Sequence, residues 1–257
     1  MSRTRRARRT WGALASAAAV MLTVTACAAL PVEPAALPDD FIPEPSASPG
    51  DGTGALSPDG FTAAQRMTVR VRNVGCGFIA TGTGFALDSH TLVTNRHVVE
   101  DAKRITVTTY DGRSIAATAA TTTTVADIAI VTTEESLGTA HARRAQEDPV
   151  EGDVITVVGY PNGGRLTSTA GVVLGPTTDP KGVAVGTVLA SSASVEPGSS
   201  GSPVLDEDGR VVGVIYAKNY SNQSFIVPIS TLNTLLSEES LFVPEASCAP
   251  NQYQATP

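Results

Sequence analysis

Three residues whose side chains can cooperate in nucleophilic catalysis occur along this 257-residue chain. His97 follows the run TLVT at a short distance and directly precedes two valines, and Asp127 precedes four apolar residues. Ser200 lies in the stretch VEPGSSGSPV. A serine hydroxyl is a weak nucleophile unless a base takes its proton, and a histidine base needs a third group that holds its tautomer. The order His97, Asp127, Ser200 supplies these three roles.

Each of these residues also has a purely structural interpretation. Clusters of Gly, Ser and Pro are usually turns, so Ser200 would then belong to a surface linker. A histidine among apolar residues is commonly a core residue, and Asp127 at the start of a strand can cap a turn. A buried acid needs a hydrogen-bond partner, however, and the ring N–H of a histidine would serve.

The remaining histidines do not suggest further chemistry. His90 follows a turn, and His141 lies in a polar stretch, so both are predicted to be surface residues. No two histidines share the spacing of metal ligands. We therefore predict neither a metal site nor a cofactor.

Short strands must position the candidate residues. Val and Thr are abundant between residues 67 and 230, which favours β-structure. The apolar runs are short and are separated by turn signals such as Asp111-Gly112, a pattern typical of an all-β barrel or sandwich. A polar stretch at 134–149 is the predicted join between two halves. Ser230 is predicted to cap a short C-terminal helix that reaches about residue 239.

Five segments in this order resemble the motifs of chymotrypsin-fold, trypsin-like serine proteases. They are GTGF at 82–85, TNRHVV at 94–99, ADIAIV at 126–131, GSSGSP at 198–203 and VVGVI at 211–215. The GTGF motif is similar to that of bacterial envelope proteases of the HtrA type. The resemblance extends over about residues 67–240, without the PDZ-like segment of HtrA proteins after it. The overall arrangement is most similar to membrane-anchored, single-domain actinobacterial proteases of this fold.

The resemblance implies a fold and a set of catalytic residues. The fold is a double six-stranded β-barrel of the trypsin-like serine protease type with a short C-terminal helix. Ser200 is the implied nucleophile, His97 the general base and then acid, and Asp127 the carboxylate that orients His97. The backbone N–H groups of Gly198 and Ser200 are the implied oxyanion hole. The activity implied is that of a serine endopeptidase acting on proteins or peptides.

The same resemblance implies a substrate pocket. Its base is assigned to Ser194, six residues before the nucleophile, and its walls are assigned to Val195, Glu196, Tyr216, Ala217 and Lys218. A serine hydroxyl at the base cannot compensate for the desolvation of a guanidinium, so basic residues before the scissile bond are not expected. Two departures from the family motif are Ser199, where many relatives have Asp or Asn, and Ser202, where most have Gly.

The N-terminus is predicted to be a lipoprotein signal peptide covering residues 1–26. Five arginines precede an uncharged, mostly apolar run of 15 residues, which is too short for a comfortable transmembrane helix. The run ends in Val-Thr-Ala-Cys, which resembles a bacterial lipobox, so Cys27 is the predicted lipidation site. An ordinary cleaved signal with a chance cysteine is the alternative.

The segment 27–60 is predicted to be a disordered, proline-rich tether, because seven of the 17 prolines lie between residues 28 and 58. The protein would thus be lipid-anchored to the extracytoplasmic face of a bacterial cell membrane. Removing residues 1–26 changes the formal net charge from −7 to −12, which excludes the basic surface of a nucleic-acid-binding protein. The protease domain is predicted at 61–248, followed by a tail at 249–257.

Two cysteines remain if Cys27 carries a lipid. Exported proteins meet an oxidising compartment, so a Cys76–Cys248 disulfide is the simplest expectation, with two free buried thiols as the alternative. A catalytically silent lipoprotein with the same fold is the alternative to the protease. An α/β esterase is disfavoured by the order of the motifs and by the lack of long helices.

Overall fold

The computed structural model describes residues 60–182 and 186–245. Several predictions lie outside these residues: the signal peptide 1–26, nearly all of the tether 27–60, the lipidation site Cys27, the disulfide partner Cys248 and the tail 249–257. No helix among the described residues is long and apolar enough to cross a membrane.

The first barrel consists of six antiparallel strands. They are β1 (Thr68–Gly75), β2 (Ile79–Ala86), β3 (Thr91–Thr94), β4 (Ala102–Thr108), β5 (Ser114–Thr122) and β6 (Ala129–Thr133). Their spatial order is β5-β4-β1-β2-β3-β6, and pairing of β5 with β6 closes the barrel. Closure leaves no long unpaired strand edge.

The second barrel has the same number of strands. They are β7 (Val154–Gly159), β8 (Thr167–Thr178), β9 (Thr187–Ser191), β10 (Pro203–Leu205), β11 (Val211–Lys218) and β12 (Ser224–Pro228). The closed order is β10-β11-β12-β9-β8-β7. The predicted double six-stranded β-barrel is therefore confirmed. Residues 134–153 connect the two barrels and include the stretch predicted as their join.

Within residues 60–182 and 186–245 the helices are few and short. They are α1 (Ala63–Met67), α2 (Arg96–Val99), α3 (Ile229–Ser237) and two 3-10 turns, Pro161–Gly163 and Glu239–Leu241. In α3, Leu232 and Leu235 are buried. The N-cap is Pro228, so the prediction of Ser230 as the cap is wrong: Ser230 is the second residue of the helix. After α3 the chain returns to the first barrel, where β13 (Val243–Pro244) pairs with β5.

The core consists mainly of Val, Ile, Leu and Ala side chains, because aromatic residues make up only 5% of the chain. In β1, Val69 and Val71 are fully buried and Arg72 is exposed, as expected for a strand whose alternate residues face a barrel interior. Strands β11 and β12 are buried on both faces, and α3 packs against both of them.

Strand β2 is where the first barrel contacts the loop that carries Ser200. Thr83 N–H donates to Ser200 O at 2.7 Å, and the Thr83 hydroxyl donates to Gly198 O at 2.8 Å. A side chain at Gly82 would collide with Val98 and approach Ser200 O, so the glycine permits this close packing. Arg70 on β1 adds a hydrogen bond of 3.0 Å to Gly163 O in the second barrel.

Candidate active site

The structure brings His97 and Asp127 together at one end of the first barrel. His97 lies in α2, which follows β3, and Asp127 lies just before β6. Strands β3 and β6 are paired so that Thr94 is opposite Ala129, which places the residues after β3 beside those before β6. His97 Nδ1 lies 2.5 Å from Asp127 Oδ2, and the backbone N–H of His97 donates to Oδ1 at 3.1 Å.

Asp127 is ionised and fixed in this position. Its side chain is only 4% exposed, whereas that of His97 is 36% exposed. Burial opposes ionisation of Asp127, but the hydrogen bonds and charge of His97 outweigh it and hold the pKa of the carboxyl below its usual value. Asn95 donates a further hydrogen bond of 2.7 Å to the Asp127 carbonyl. The carboxylate therefore holds the Nδ1 side of the ring and leaves Nε2 available for proton transfer.

Ser200 is the half-buried serine of the VEPGSSGSPV loop, whereas Ser199 and Ser202 are buried. Its carbonyl is held by Thr83 of the first barrel, and the next residue, Gly201, donates to Ile215 O on β11 at 2.8 Å. Within the described residues no hydrogen bond joins Ser200 to His97. Such bonds are often long without substrate and tighten only in the reacting complex.

The peptide before Gly198 has a defined direction. Pro197 O accepts a hydrogen bond of 2.5 Å from Asn162 N–H, and the N–H of Gly198 therefore points to the opposite side, away from the 160–163 turn. Gly198 has a φ of 96°, and a side chain there would collide with the backbone of Tyr160 and Asn162. Only glycine fits both the conformation and the space. Neither Gly198 N–H nor Ser200 N–H donates to another backbone group among the described residues.

A cavity of about 230 Å³ opens beside Ser200. Its lining residues are Lys181, Val195, Glu196, Pro197, Ser200, Ile215, Tyr216, Ala217 and Lys218. The predicted wall residues are therefore present. Ser194, predicted for the base of the pocket, is instead exposed and does not line the cavity. Residues 191–195 alternate between buried and exposed, so Val195 points inward and Ser194 outward.

The charges at this cavity partly cancel. Lys218 Nζ donates to Glu196 Oε2 at 2.7 Å, and both side chains are partly exposed. Lys181 also lines the cavity, and its charge contributes to the lowered pKa of Asp127. Glu196 is thus engaged by a lysine at the cavity wall.

Comparison with known proteins identifies the family. The sequence profile of the trypsin-like peptidase domain matches residues 82–214, more than half of the chain. The chain belongs to the trypsin-like peptidases. The resemblance to the trypsin-fold serine proteases is therefore confirmed.

Two relatives illustrate the similarity. The peptidase is 30% identical over 172 residues to a probable periplasmic serine endoprotease, DegP-like, from Halomonas elongata. That alignment covers 65% of this chain but only 35% of the relative's length. The inactive form of the Rv3671c protease from M. tuberculosis is 27% identical, with a TM-score of 0.60 and coverage of 68% of this chain and 90% of that one. Its active form superimposes with a TM-score of 0.63 at 24% identity, covering 83% and 97%.

The peptidase contains a buried pair that the sequence analysis missed. Tyr216 OH donates to Asp179 Oδ1 at 2.6 Å beneath the wall of the cavity. Burial, followed by the hydrogen bond to Asp179, raises the pKa of the Tyr216 phenol far above its usual value, so the tyrosine is neutral. Asp179 follows the long strand β8, and only its position before Pro180 hinted at an ordered turn.

The two departures from the family motif have structural explanations. Ser199 is buried, and its hydroxyl accepts from Glu196 N–H at 3.4 Å, which stabilises the turn before the nucleophile. Ser202 is fully buried and its hydroxyl has no hydrogen-bond partner among the described residues. It packs against Gly159, where a side chain would collide with it.

No group of His, Cys, Asp and Glu side chains within residues 60–182 and 186–245 has the arrangement of a metal site.

Proposed function

We propose that this trypsin-like peptidase cleaves protein substrates with Ser200 as nucleophile, His97 as general base and then acid, and Asp127 as the orienting carboxylate. The observation that carries the proposal is the 2.5 Å contact between His97 Nδ1 and Asp127 Oδ2. An ionised acid in this place stabilises the imidazolium that forms during the reaction. Loop residues 197–200 support the proposal, because the 197–198 peptide directs a free N–H away from the 160–163 turn.

The proposed reaction has two steps, the acylation of Ser200 and the hydrolysis of the acyl-enzyme. Ser200 Oγ attacks the substrate carbonyl carbon while its proton moves to His97 Nε2, and the carbonyl oxygen becomes an oxyanion. The N–H groups of Gly198 and Ser200 donate to this oxyanion. His97 then gives its proton to the leaving amine as the peptide bond breaks. Water attacks the acyl-enzyme by the same route and regenerates Ser200.

For the substrate residue before the scissile bond we propose a small or medium uncharged side chain. Val195, Ile215 and Ala217 form an apolar part of the cavity wall. Glu196 is the one acidic side chain among the lining residues, and it is already paired with Lys218. A basic side chain would have to displace that lysine and would meet the charge of Lys181.

We propose that the peptidase acts outside the cytoplasm, held to the membrane by a lipid on Cys27. The sequence argument for a lipobox supports this, as does the similarity to a probable periplasmic endoprotease. Cys27→Ser is expected to abolish incorporation of a labelled fatty acid and to prevent processing after residue 26. Unchanged labelling of Cys27→Ser would contradict the anchor, and Cys76→Ser is the matched control.

We also propose the Cys76–Cys248 disulfide. Cys76 Sγ lies 3.5 Å from Asp101 O, and the N–H of Asp101 donates to Glu245 Oε1 at 3.3 Å. Glu245 therefore brings the C-terminal segment to the neighbourhood of Cys76, only three residues before Cys248. The three residues from Glu245 to Cys248 can span up to about 10 Å.

Fluorophosphonate labelling together with peptide cleavage tests the catalytic proposal. We expect the purified protein to label and to cleave an unfolded protein substrate, and Ser200→Ala to lose both properties. Ser199→Ala is the matched control, because it removes the adjacent hydroxyl and should still label. Absence of labelling and cleavage in the wild-type protein would instead favour a catalytically silent module with the same fold. Labelling that persists in Ser200→Ala would refute the assignment of the nucleophile.

A further inference from the structure

Four consecutive carbonyl groups in the loop around the nucleophile are each held by a hydrogen bond. Pro197 O accepts from Asn162 N–H at 2.5 Å, and Ser199 O accepts from Ser202 N–H at 3.0 Å. The other two carbonyls, those of Gly198 and Ser200, are both bound by Thr83. Among the described residues, the Thr83 hydroxyl is the only side-chain donor in this set.

The direction of the Thr83 hydroxyl is itself determined. Tyr160 N–H donates to Thr83 Oγ1 at 3.0 Å, so the hydroxyl proton is left to point at Gly198 O, 2.8 Å away. Thr83 is fully buried, so bulk water does not reach its hydroxyl. Its β-branched side chain has few rotamers, so the hydroxyl stays in place. These two hydrogen bonds form a fixed relay, which runs from Tyr160 N–H in the second barrel, through the Thr83 hydroxyl in the first barrel, to Gly198 O in the loop.

The peptide that this relay holds lies between the two N–H groups proposed for the oxyanion hole. Gly198 has a φ of 96°, and glycine is the residue whose backbone rotates most freely. Gly198 N–H belongs to the 197–198 peptide and Ser200 N–H to the 199–200 peptide, and the planar 198–199 peptide joins these two. The bond from Thr83 to Gly198 O, together with the bond of 2.9 Å from Ser199 N–H to Glu196 O, therefore restricts how the two donor peptides are oriented relative to each other.

We propose that Thr83 is a positioning residue for catalysis, whose hydroxyl holds the 198–199 peptide so that the two oxyanion donors converge. This inference rests on the proposed serine-protease function. A side chain of the first barrel would thus determine the geometry of an oxyanion hole that is formed by backbone groups of the second barrel. Thr83 itself does not touch the substrate.

The test compares Thr83→Val, which keeps the shape but lacks the hydroxyl, with Thr83→Ser, which keeps the hydroxyl. Removing one oxyanion donor costs about 10²- to 10³-fold in kcat, so loss of its positioning is expected to cost roughly 10- to 100-fold. KM should change little, because the substrate pocket is untouched. Thr83→Ser should recover most of the lost kcat.

A second measurement separates positioning from general destabilisation. A peptide boronic acid forms a tetrahedral adduct with an oxygen in the oxyanion hole, whereas a cleaved product peptide does not. Thr83→Val should weaken boronate binding by the same factor as kcat/KM and leave product binding unchanged. Thr133→Val is the matched control, because it removes another buried threonine hydroxyl that donates to backbone carbonyls, at the opposite end of β6 from Asp127.

The outcomes are distinct. Full kcat and boronate affinity in Thr83→Val would overturn the positioning role while leaving the serine-protease proposal intact. Lack of cleavage by the wild-type protein would instead remove the proposed function. If Thr83→Val does not fold, Thr83→Cys is compared with Thr83→Ser, because a thiol is a much weaker donor than a hydroxyl. Equal kcat and boronate affinity in these two folded variants would then overturn the proposal.

Discussion

The hydroxyl of Ser202 occupies the space in which a side chain at Gly159 would have to lie. Gly159 ends β7, and Ser202 directly precedes β10, the strand paired with β7. Position 202, which is usually glycine in the family motif, therefore carries a side chain here. Gly159, the residue that faces it, is the glycine instead. The Ser202 hydroxyl gains no hydrogen bond from this exchange within the described residues.

Ser202→Ala is expected to stabilise the protein by about 1 kcal/mol, because a buried unpaired hydroxyl carries a desolvation cost that a methyl group does not. Gly159→Ala should destabilise it by about 1–3 kcal/mol through overpacking. In the double variant the cost of Gly159→Ala should be smaller, since the clashing oxygen is gone. Chemical denaturation of the four proteins measures the coupling, and additive effects would contradict this packing.

Asp127→Asn is expected to lower kcat by about 10⁴-fold while the protein remains folded. An amide can present its NH₂ to His97 Nδ1, which stabilises the wrong tautomer and cannot stabilise the imidazolium. Single-turnover kinetics measures the loss. A decrease of less than about tenfold would mean that Asp127 does not orient the base, and Asp179→Asn, at the other buried carboxylate near the cavity, is the comparison.

The lowered pKa of Asp127 predicts a specific pH dependence of stability. Its carboxyl has the ordinary pKa of about 3.8 when the chain is unfolded and a lower pKa when it is folded. The stabilising contribution is therefore complete above about pH 5 and is lost as the pH falls through the folded value. The difference in unfolding free energy between wild type and Asp127→Asn should be constant at neutral pH and shrink below about pH 4. A difference that grows on acidification would contradict it.

The Glu196–Lys218 pair is predicted to set the discrimination against basic residues. Lys218→Gln releases Glu196 and should raise kcat/KM for an arginine before the scissile bond, relative to alanine, by about two- to fivefold. Glu196→Gln should change the ratio in the opposite direction. Exposed ion pairs contribute little free energy, so only a small change in this ratio of kcat/KM values is expected. Cleavage mainly after Arg or Lys by the wild-type protein would contradict the proposed specificity.

The disulfide stays a prediction that thiol counting can test. Alkylation of the oxidised protein followed by mass spectrometry should find Cys76 and Cys248 unmodified and linked. The loop they close has roughly 170 residues, for which the chain-entropy model gives about 5 kcal/mol as an upper value. Cys76→Ser and Cys248→Ser should lower the free energy of unfolding by the same amount. Unequal losses, or two alkylated thiols, would argue against the bridge.

Much of the fold followed from local patterns. Short Val- and Thr-rich runs between turn signals predicted the strands of an all-β barrel or sandwich, and the resemblance to trypsin-fold proteases implied two six-stranded barrels. The apolar surroundings of Asp127 predicted that it needed a partner, and His97 is that partner. These inferences succeed because strand alternation and the cost of burying a charge are properties of a residue and its near neighbours in sequence.

The tertiary structure decided the relationships between distant segments. Alternate residues of the extended segment 191–195 face opposite sides, so only one of Ser194 and Val195 can face the cavity. The family motif predicted Ser194, whereas the structure has Val195 there. The Tyr216–Asp179 bond, the exchange of Gly159 and Ser202, and the contact of Thr83 with Gly198 join residues between 37 and 115 positions apart. Local sequence indicated the residues that we propose to carry the chemistry. Only the tertiary structure fixed what holds them, because packing between distant segments, within the second barrel and between the two barrels, depends on space and direction that no single segment contains.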